Sequence, residues 1–265
     1  MRLRPFLPVF DCYFGHTTHH DRRVVVVLDG PAEQLHDTPS IPPRLALRFP
    51  MLVYDWARYQ TPEPGYCPGR DEVSKGIMVH GRWETAETLT VLDILTGSGV
   101  VYDFGAHIGW YTLIAGLTGH PVVAFEPDPE NLRILNLNLA MNRLAADVHP
   151  LWVDETVPPF PPAGPVRLIK IDIEGHSGEA VRVCVPILDR QLIDYLLVEV
   201  SPVFVDDSAE TVATIVDRGY RPFLIPDPVP LEEMAADPLG VVRECPLVSL
   251  DFPQRDVLFI REDLL

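Results

Sequence analysis

Asp103 closes an apolar run, and two residues later Gly105 and Gly109 bracket a tight turn, Asp103-Phe-Gly105-Ala106-His107-Ile-Gly109. A helical pattern follows from Ile108, and the next apolar run ends at Glu126. A turn that feeds a helix N-terminus offers backbone N–H groups and positive dipole charge. A carboxylate at the end of the following strand suits a ribose diol. The stretch Val100–Pro127 therefore reads as a cradle for a nucleoside-bearing cofactor. The dinucleotide fingerprint G-x-G-x-x-G is not met, because the glycines stand four apart and an acid precedes them by two.

A second chemical stretch is Val166–Gly175, VRLIKIDIEG. Its alternation puts Ile169, Ile171 and Ile173 on one face and Leu168, Lys170, Asp172 and Glu174 on the other. A central parallel strand is ordinarily apolar on both faces, and unpaired buried charge is costly. Either the three charges pair among themselves near an exposed strand end, or that end opens into a site. His176 follows directly and has the intrinsic pKa of a general base. Glu199 lies near the end of another apolar run, as a substrate contact or a partner of Lys170. His16, His19, His20 and Asp21 form the one cluster that invites a metal, against the plainer reading of a solvated loop, and no metal site is assigned.

These groups need a scaffold, and the pattern supplies one. From Val100 onward, apolar β-rich runs alternate with helical periodicities at residues 127–144, 177–192 and 206–220, with Pro186 expected to kink or break the second. Strands are expected at 145–154, 166–175, 195–202, 220–225 and 256–262, and a loop or lid at 226–246. A further helix is expected from Trp83 to Leu95, with Thr85 as its cap and Gly97 as its stop. The order predicts an α/β sheet with helices on both faces. Residues 1–80 carry β-rich runs at 21–30 and 44–55 between proline-rich connections and read as a small lobe, with 81–265 as the main domain.

Composition bounds the partners. The formal net charge of −17 argues against nucleic acid and an anionic membrane surface, both of which need clustered cations. No apolar segment approaches the roughly 20 residues of a membrane-spanning helix. The four cysteines are isolated, with neither zinc nor C-x-x-C spacing, which fits a reduced, cytoplasmic setting. Cys184 reads as core. Only two of the 21 basic residues are lysines, Lys75 and Lys170, which makes the position of the latter notable.

Asp103-x-Gly105-x-His107-x-Gly109 with Glu126 resembles the signature of class I S-adenosylmethionine (SAM) methyltransferases. More specifically, the chain resembles the FkbM-type methyltransferase family: Gly81–Glu84 as its lead-in, Tyr102–Thr112 as its D-x-G-A-N-x-G motif, Ala124–Asn142 with Leu135, Asn138 and Asn142, Leu168–Gly175 as its I-K-x-D-x-E-G strand, and Leu196–Pro202. His107 stands in place of that family's asparagine, and His176-Ser177-Gly178 interrupt the residues that usually precede its glutamate.

The resemblance implies a Rossmann-like, mostly parallel sheet with an antiparallel closing strand, and methyl transfer from SAM by in-line displacement. It implies backbone approach of cofactor at Gly105, Ala106, His107 and Gly109, Asp103 near the methionine end, Glu126 on the ribose, Asp154 at the adenine amino group, and Asp172 beside the methyl donor. For an alcohol acceptor, His176, Glu174 and Asp172 are the candidate catalytic groups. The expected acceptor is a hydroxyl on a small natural-product or sugar-like metabolite. Methylation of an amine or peptide-linked group, a nicotinamide oxidoreductase and a non-catalytic cofactor-binding protein are the alternatives. A homodimer is compatible with this scheme.

Overall fold

The computed structural model describes residues 23–27, 49–54, 72–80, 83–154, 164–202, 207–226, 231–245, 252 and 254–265. The histidine cluster at 16–20 with Asp21 lies outside them. β1 (Arg23–Val27) and β2 (Pro50–Tyr54) pair antiparallel. α1 (Glu72–His80) and α2 (Thr85–Ile94) follow. The α/β succession then runs β3 (Val100–Phe104), α3 (Trp110–Leu117), β4 (Val122–Phe125), α4 (Pro129–Asn142), β5 (Asp147–His149), β6 (Val166–Ile171), α5 (Ser177–Leu188), β7 (Ile193–Val200), α6 (Ser208–Val216) and β8 (Tyr220–Leu224). α7 (Leu231–Ala236), α8 (Pro238–Val241), β9 (Arg243–Glu244) and β10 (Arg255–Arg261) complete it.

The large sheet has the order β5-β4-β3-β6-β7-β10-β8-β9. The pairs from β5 to β7 are parallel, and β10 lies antiparallel between β7 and β8. This is the Rossmann-like sheet with an antiparallel closing strand that the sequence implies. Strand order reverses at β3: the chain moves outward through β4 and β5, then returns to β6 and β7. The crevice at such a reversal is where open α/β sheets take ligands.

Each face of the sheet carries its own apolar layer. On one, Val101, Leu168, Leu197 and Leu258 pack under α2, α3 and α4. On the other, Ile169, Ile171, Leu196 and Phe259 pack under α5 and α6, with Cys184 fully buried. Met51–Tyr54 of β2 and Ile77 of α1 enter the first layer. α1 has no clear periodic signal in the sequence; it is held by its contacts, with buried Ser74 accepting from the Tyr54 amide at 3.0 Å.

Several boundaries differ from the sequence reading for identifiable reasons. Thr85 is the first residue of α2 rather than its cap; the cap position is Glu84, in a left-handed conformation (φ 40°), whose side chain is engaged elsewhere. α5 runs on through Pro186 to Leu188, so the residue does not end the helix where it stands. The loop or lid expected at 226–246 is in part regular: its described residues form α7, α8 and β9, and Asp237 caps α8 by accepting from the Gly240 amide, with Pro238 in the first turn. β5 keeps only three residues of the run 145–154, and β6 stops at Ile171, so Asp172 and Glu174 leave the ladder. Asp128 caps α4 by accepting from Glu130 and Asn131 amides, and Pro129 takes the first turn as expected.

Asn138 fastens β2 to the β3–α3 turn. Fully buried, it accepts from the Leu52 amide at 2.6 Å and donates to the carbonyls of Leu52 and Ile108 at 3.0 and 2.8 Å. Truncation leaves three buried backbone groups without those partners. Asn138→Ala should lower the unfolding free energy by about 2–5 kcal/mol. Urea denaturation checks this, and an unchanged midpoint would remove the residue as a fastener.

Candidate functional site

The turn between β3 and α3 is pressed between two strand ends. The Gly105 and Ala106 amides both donate to the Phe125 carbonyl, at 3.0 and 2.9 Å. On the opposite side a side chain at Gly105 would meet the Asp172 carbonyl oxygen at 1.8 Å, and its φ is +84°. Only glycine fits there. His107 adopts φ +51°, a conformation in which Asn, Asp and His are enriched among non-glycine residues. That gives a physical reason why histidine can occupy a position where the resembling family has asparagine.

Glu126 is 5% exposed and reaches across this turn. One carboxylate oxygen accepts from the His107 amide at 2.8 Å, the other from the Asp128 amide at 2.8 Å and from Asn131 Nδ2 at 3.4 Å. Glu126 thus braces the turn against the start of α4. A carboxylate has about four acceptor positions, so one remains for a ligand hydroxyl. Asp154 is half-buried just beyond β5.

Beside the turn lies a charged cluster that spans four strands. Lys170, 2% exposed, is the register neighbour of Asp103 in β3. Its ammonium contacts Asp172 Oδ2 at 2.7 Å and stands 4.7 Å above the Tyr111 ring. Tyr111 in turn donates to Glu84 Oε2 at 2.7 Å. Glu199 of β7 is the register neighbour of Asp256 in β10. Glu199 accepts from Gln254 Nε2 and lies close enough to Asp172 for the two charges to interact. Asp103, 2% exposed, accepts from Thr112 Oγ1 at 2.5 Å.

One cation cannot hold five acids ionised in such a place. Burial pulls the Lys170 ammonium down, but Asp172, Asp256 and Glu84 outweigh it and lift it well above its ordinary value. Burial also disfavours the Asp172 carboxylate, yet the Lys170 charge and hydrogen bond hold it below the usual range. The others go the opposite way. Burial raises Asp103 to about 6, and burial with the neighbouring Asp172 charge raises Glu199 to about 7. Burial raises Glu84 as well, and lifts Asp256 well above its ordinary value. The cluster is therefore an ion pair surrounded by acids that hold their protons more tightly than ordinary carboxyls.

The structure thus brings Asp103, Gly105, Ala106, His107, Gly109, Glu126 and Asp172 to one crevice. Glu174 and His176 sit at its outer rim. Both are exposed; Glu174 is in a left-handed turn (φ 47°), and His176 Nδ1 lies 3.1 Å from Glu179 Oε2. Glu199 faces a cleft together with Gly175, Ser177, Ser201, Asp207 and Thr211. Sequence reasoning missed Tyr111 and Asp256, and gave Glu84 no role beyond a motif. Their approach to Lys170 joins positions as far apart as 84 and 256, and no local pattern announces it. Among the described residues there is no His, Cys, Asp or Glu group fit to hold a metal, and no helix long and apolar enough to cross a membrane.

No family model and no curated protein matches the chain. Among solved structures, it is similar to a TehB-like SAM-dependent methyltransferase from Corynebacterium glutamicum (12% identity, 71% of this chain and 93% of that one, TM-score 0.46). It is also similar to magnesium protoporphyrin IX methyltransferase from Synechocystis PCC 6803 with bound SAM (12%, 78% and 89%, TM-score 0.45). A third is an rRNA methylase from Streptococcus thermophilus (14%, 67% and 93%, TM-score 0.42). These TM-scores lie below 0.5, so the reading of the site stands on the chain's own residues.

The acid cluster carries a pH signature. Asp103 and Glu199 keep their protons to about 6 and about 7 in the folded chain, above ordinary carboxyls. Their contribution to stability is full below pH ~4 and is lost as pH rises through those values. Glu199→Gln removes the upper step. Between pH 6 and 8 the variant's unfolding free energy should fall less steeply than that of the parent, and parallel curves would assign the step to another group.

Proposed function

We propose that the chain is a SAM-dependent methyltransferase of the FkbM type that methylates a hydroxyl on a small natural-product or sugar-like metabolite. The observation that carries the reading is the acid-rich cluster set directly beside a glycine turn and a buried strand-end carboxylate. A dinucleotide brings a pyrophosphate, which the Asp172 carboxylate disfavours, with Asp103 and Glu199 adding negative charge above about 6 and about 7. SAM brings a sulfonium and an ammonium, which such a field favours. Its activated methyl group supplies the chemistry, and the chain's residues supply position and exclusion of water.

The roles follow from location. The backbone at Gly105, Ala106, His107 and Gly109 admits close approach. Glu126 uses its remaining acceptor position on a ribose hydroxyl, and Asp154 takes the adenine amino group. Asp172, kept ionised by Lys170, offers negative charge to the cationic end. Asp103 is enclosed and bonded to Thr112, so it acts through its field rather than by contact. The acceptor approaches from the side of the cleft that Glu199 lines. Glu174 and His176 stand at the rim as proton acceptors for the hydroxyl, with Asp172 deeper.

Calorimetry tests the reading. SAM and S-adenosylhomocysteine should bind, and NAD should not. Glu126→Ala should weaken both by about 1–3 kcal/mol, roughly 5- to 150-fold. Binding of NAD in preference to SAM would overturn the proposal, and an unchanged affinity in the variant would remove Glu126 from the site.

A further inference from the structure

β2 stands outside the large sheet, yet its last residue is joined to the strand-end carboxylate of β4. Tyr54 is 2% exposed, and its hydroxyl donates to Asn131 Oδ1 at 2.8 Å. Asn131, also buried in the first turn of α4, directs its Nδ2 to Glu126 Oε1 at 3.4 Å. Three buried side chains thus form one hydrogen-bonded chain from β2 to Glu126.

The direction of this chain is set by chemistry. An ionised carboxylate only accepts, so Asn131 presents its amide nitrogen to Glu126 and its oxygen to Tyr54. The two ends of an asparagine amide have nearly the same shape, and packing alone does not choose between them. The Tyr54 hydroxyl gives Oδ1 its donor and so holds Nδ2 toward Glu126. Once that hydroxyl is removed, Oδ1 is buried without it, which is costly, and the amide can turn its oxygen against Glu126 Oε1. The consequence falls on the ligand side. Oε1 is taken by Asn131 and the Asp128 amide, whereas Oε2 takes the His107 amide and keeps a position for a ligand hydroxyl. Seven residues along, two turns further on the same face of α4, Asn138 joins Leu52 of β2 to the Ile108 carbonyl. β2 is therefore linked through α4 both to the glycine turn and to the carboxylate that braces it.

We propose that Tyr54 is a positioning residue of the cofactor site, which through Asn131 orients the Glu126 carboxylate for a ribose hydroxyl. The inference rests on the proposed cofactor site and extends it to a strand that precedes the α/β sheet.

Adenosine and 2′,3′-dideoxyadenosine, which differ only in the two ribose hydroxyls, are the probes for calorimetric titration of the full chain. The parent should bind adenosine more tightly than the dideoxy compound. Tyr54→Phe should cut that preference roughly 2- to 10-fold, the loss expected for one hydrogen bond, and leave affinity for the dideoxy compound as in the parent. Asn131→Asp keeps an acceptor for Tyr54 but takes the donor from Glu126. It should lower the same preference, and it decides the question if Tyr54→Phe does not fold. An unchanged preference, or equal losses for both probes, would make Tyr54 a support of the fold alone and overturn the inference, with the cofactor site intact. A parent that binds both probes equally would overturn the ribose assignment of Glu126, and this inference with it.

Discussion

The ammonium of Lys170 is the interaction on which the crevice depends. It sits in the middle of the sheet, where a lone charge is costly, and the Asp172 carboxylate offsets that cost at 2.7 Å. The remaining acids then divide by proximity. Asp172, in contact, is held below the usual carboxylate range; Asp103, Glu84, Glu199 and Asp256 are raised above it because burial disfavours their charge. A row of strand ends that would otherwise repel itself becomes a field whose sign suits a cation and whose strength varies with pH.

The turn beside it is fixed by close contact rather than by charge. Gly105 lies against the Asp172 carbonyl, so the strand that carries the ion pair also shapes the turn. Glu126 ties the same turn to the start of α4, and Asn138 ties its far end to β2. The glycine turn, the charged cluster and the β2 segment therefore share one set of contacts.

Some of this was legible. The fold order followed from alternating periodicities, because an apolar stripe at period 3.6 or a β-branched run must bury itself on neighbours in a small number of ways. The anomaly of Lys170, Asp172 and Glu174 in a central strand pointed to a strand end with work to do. The detail did not follow. Glu174 shares the parity of Lys170, yet β6 ends at Ile171 and Glu174 turns outward to the rim. Thr85 has the chemistry of a cap, but Glu84 takes that place because its carboxylate is drawn to Tyr111. Pro186 predicts a kink or break, yet α5 continues two residues past it.

What the sequence by itself determined is local: the acid two residues before the first glycine, the glycine spacing, the acid closing the next strand, and the order of elements. These rest on backbone sterics and on side chains within a few residues of one another, which a linear pattern records. What only the tertiary structure decided is the company each charge keeps. Glu84, Tyr111, Lys170, Glu199 and Asp256 meet because a reversal of strand order and one antiparallel strand bring residues from both ends of the domain together. Trp152, beyond β5, and His176, beyond β6, come within 5.8 Å although β4 and β3 lie between those strands in the sheet. Protonation follows from burial and from neighbouring charge, and both are properties of the packed sheet rather than of the order of residues along the chain.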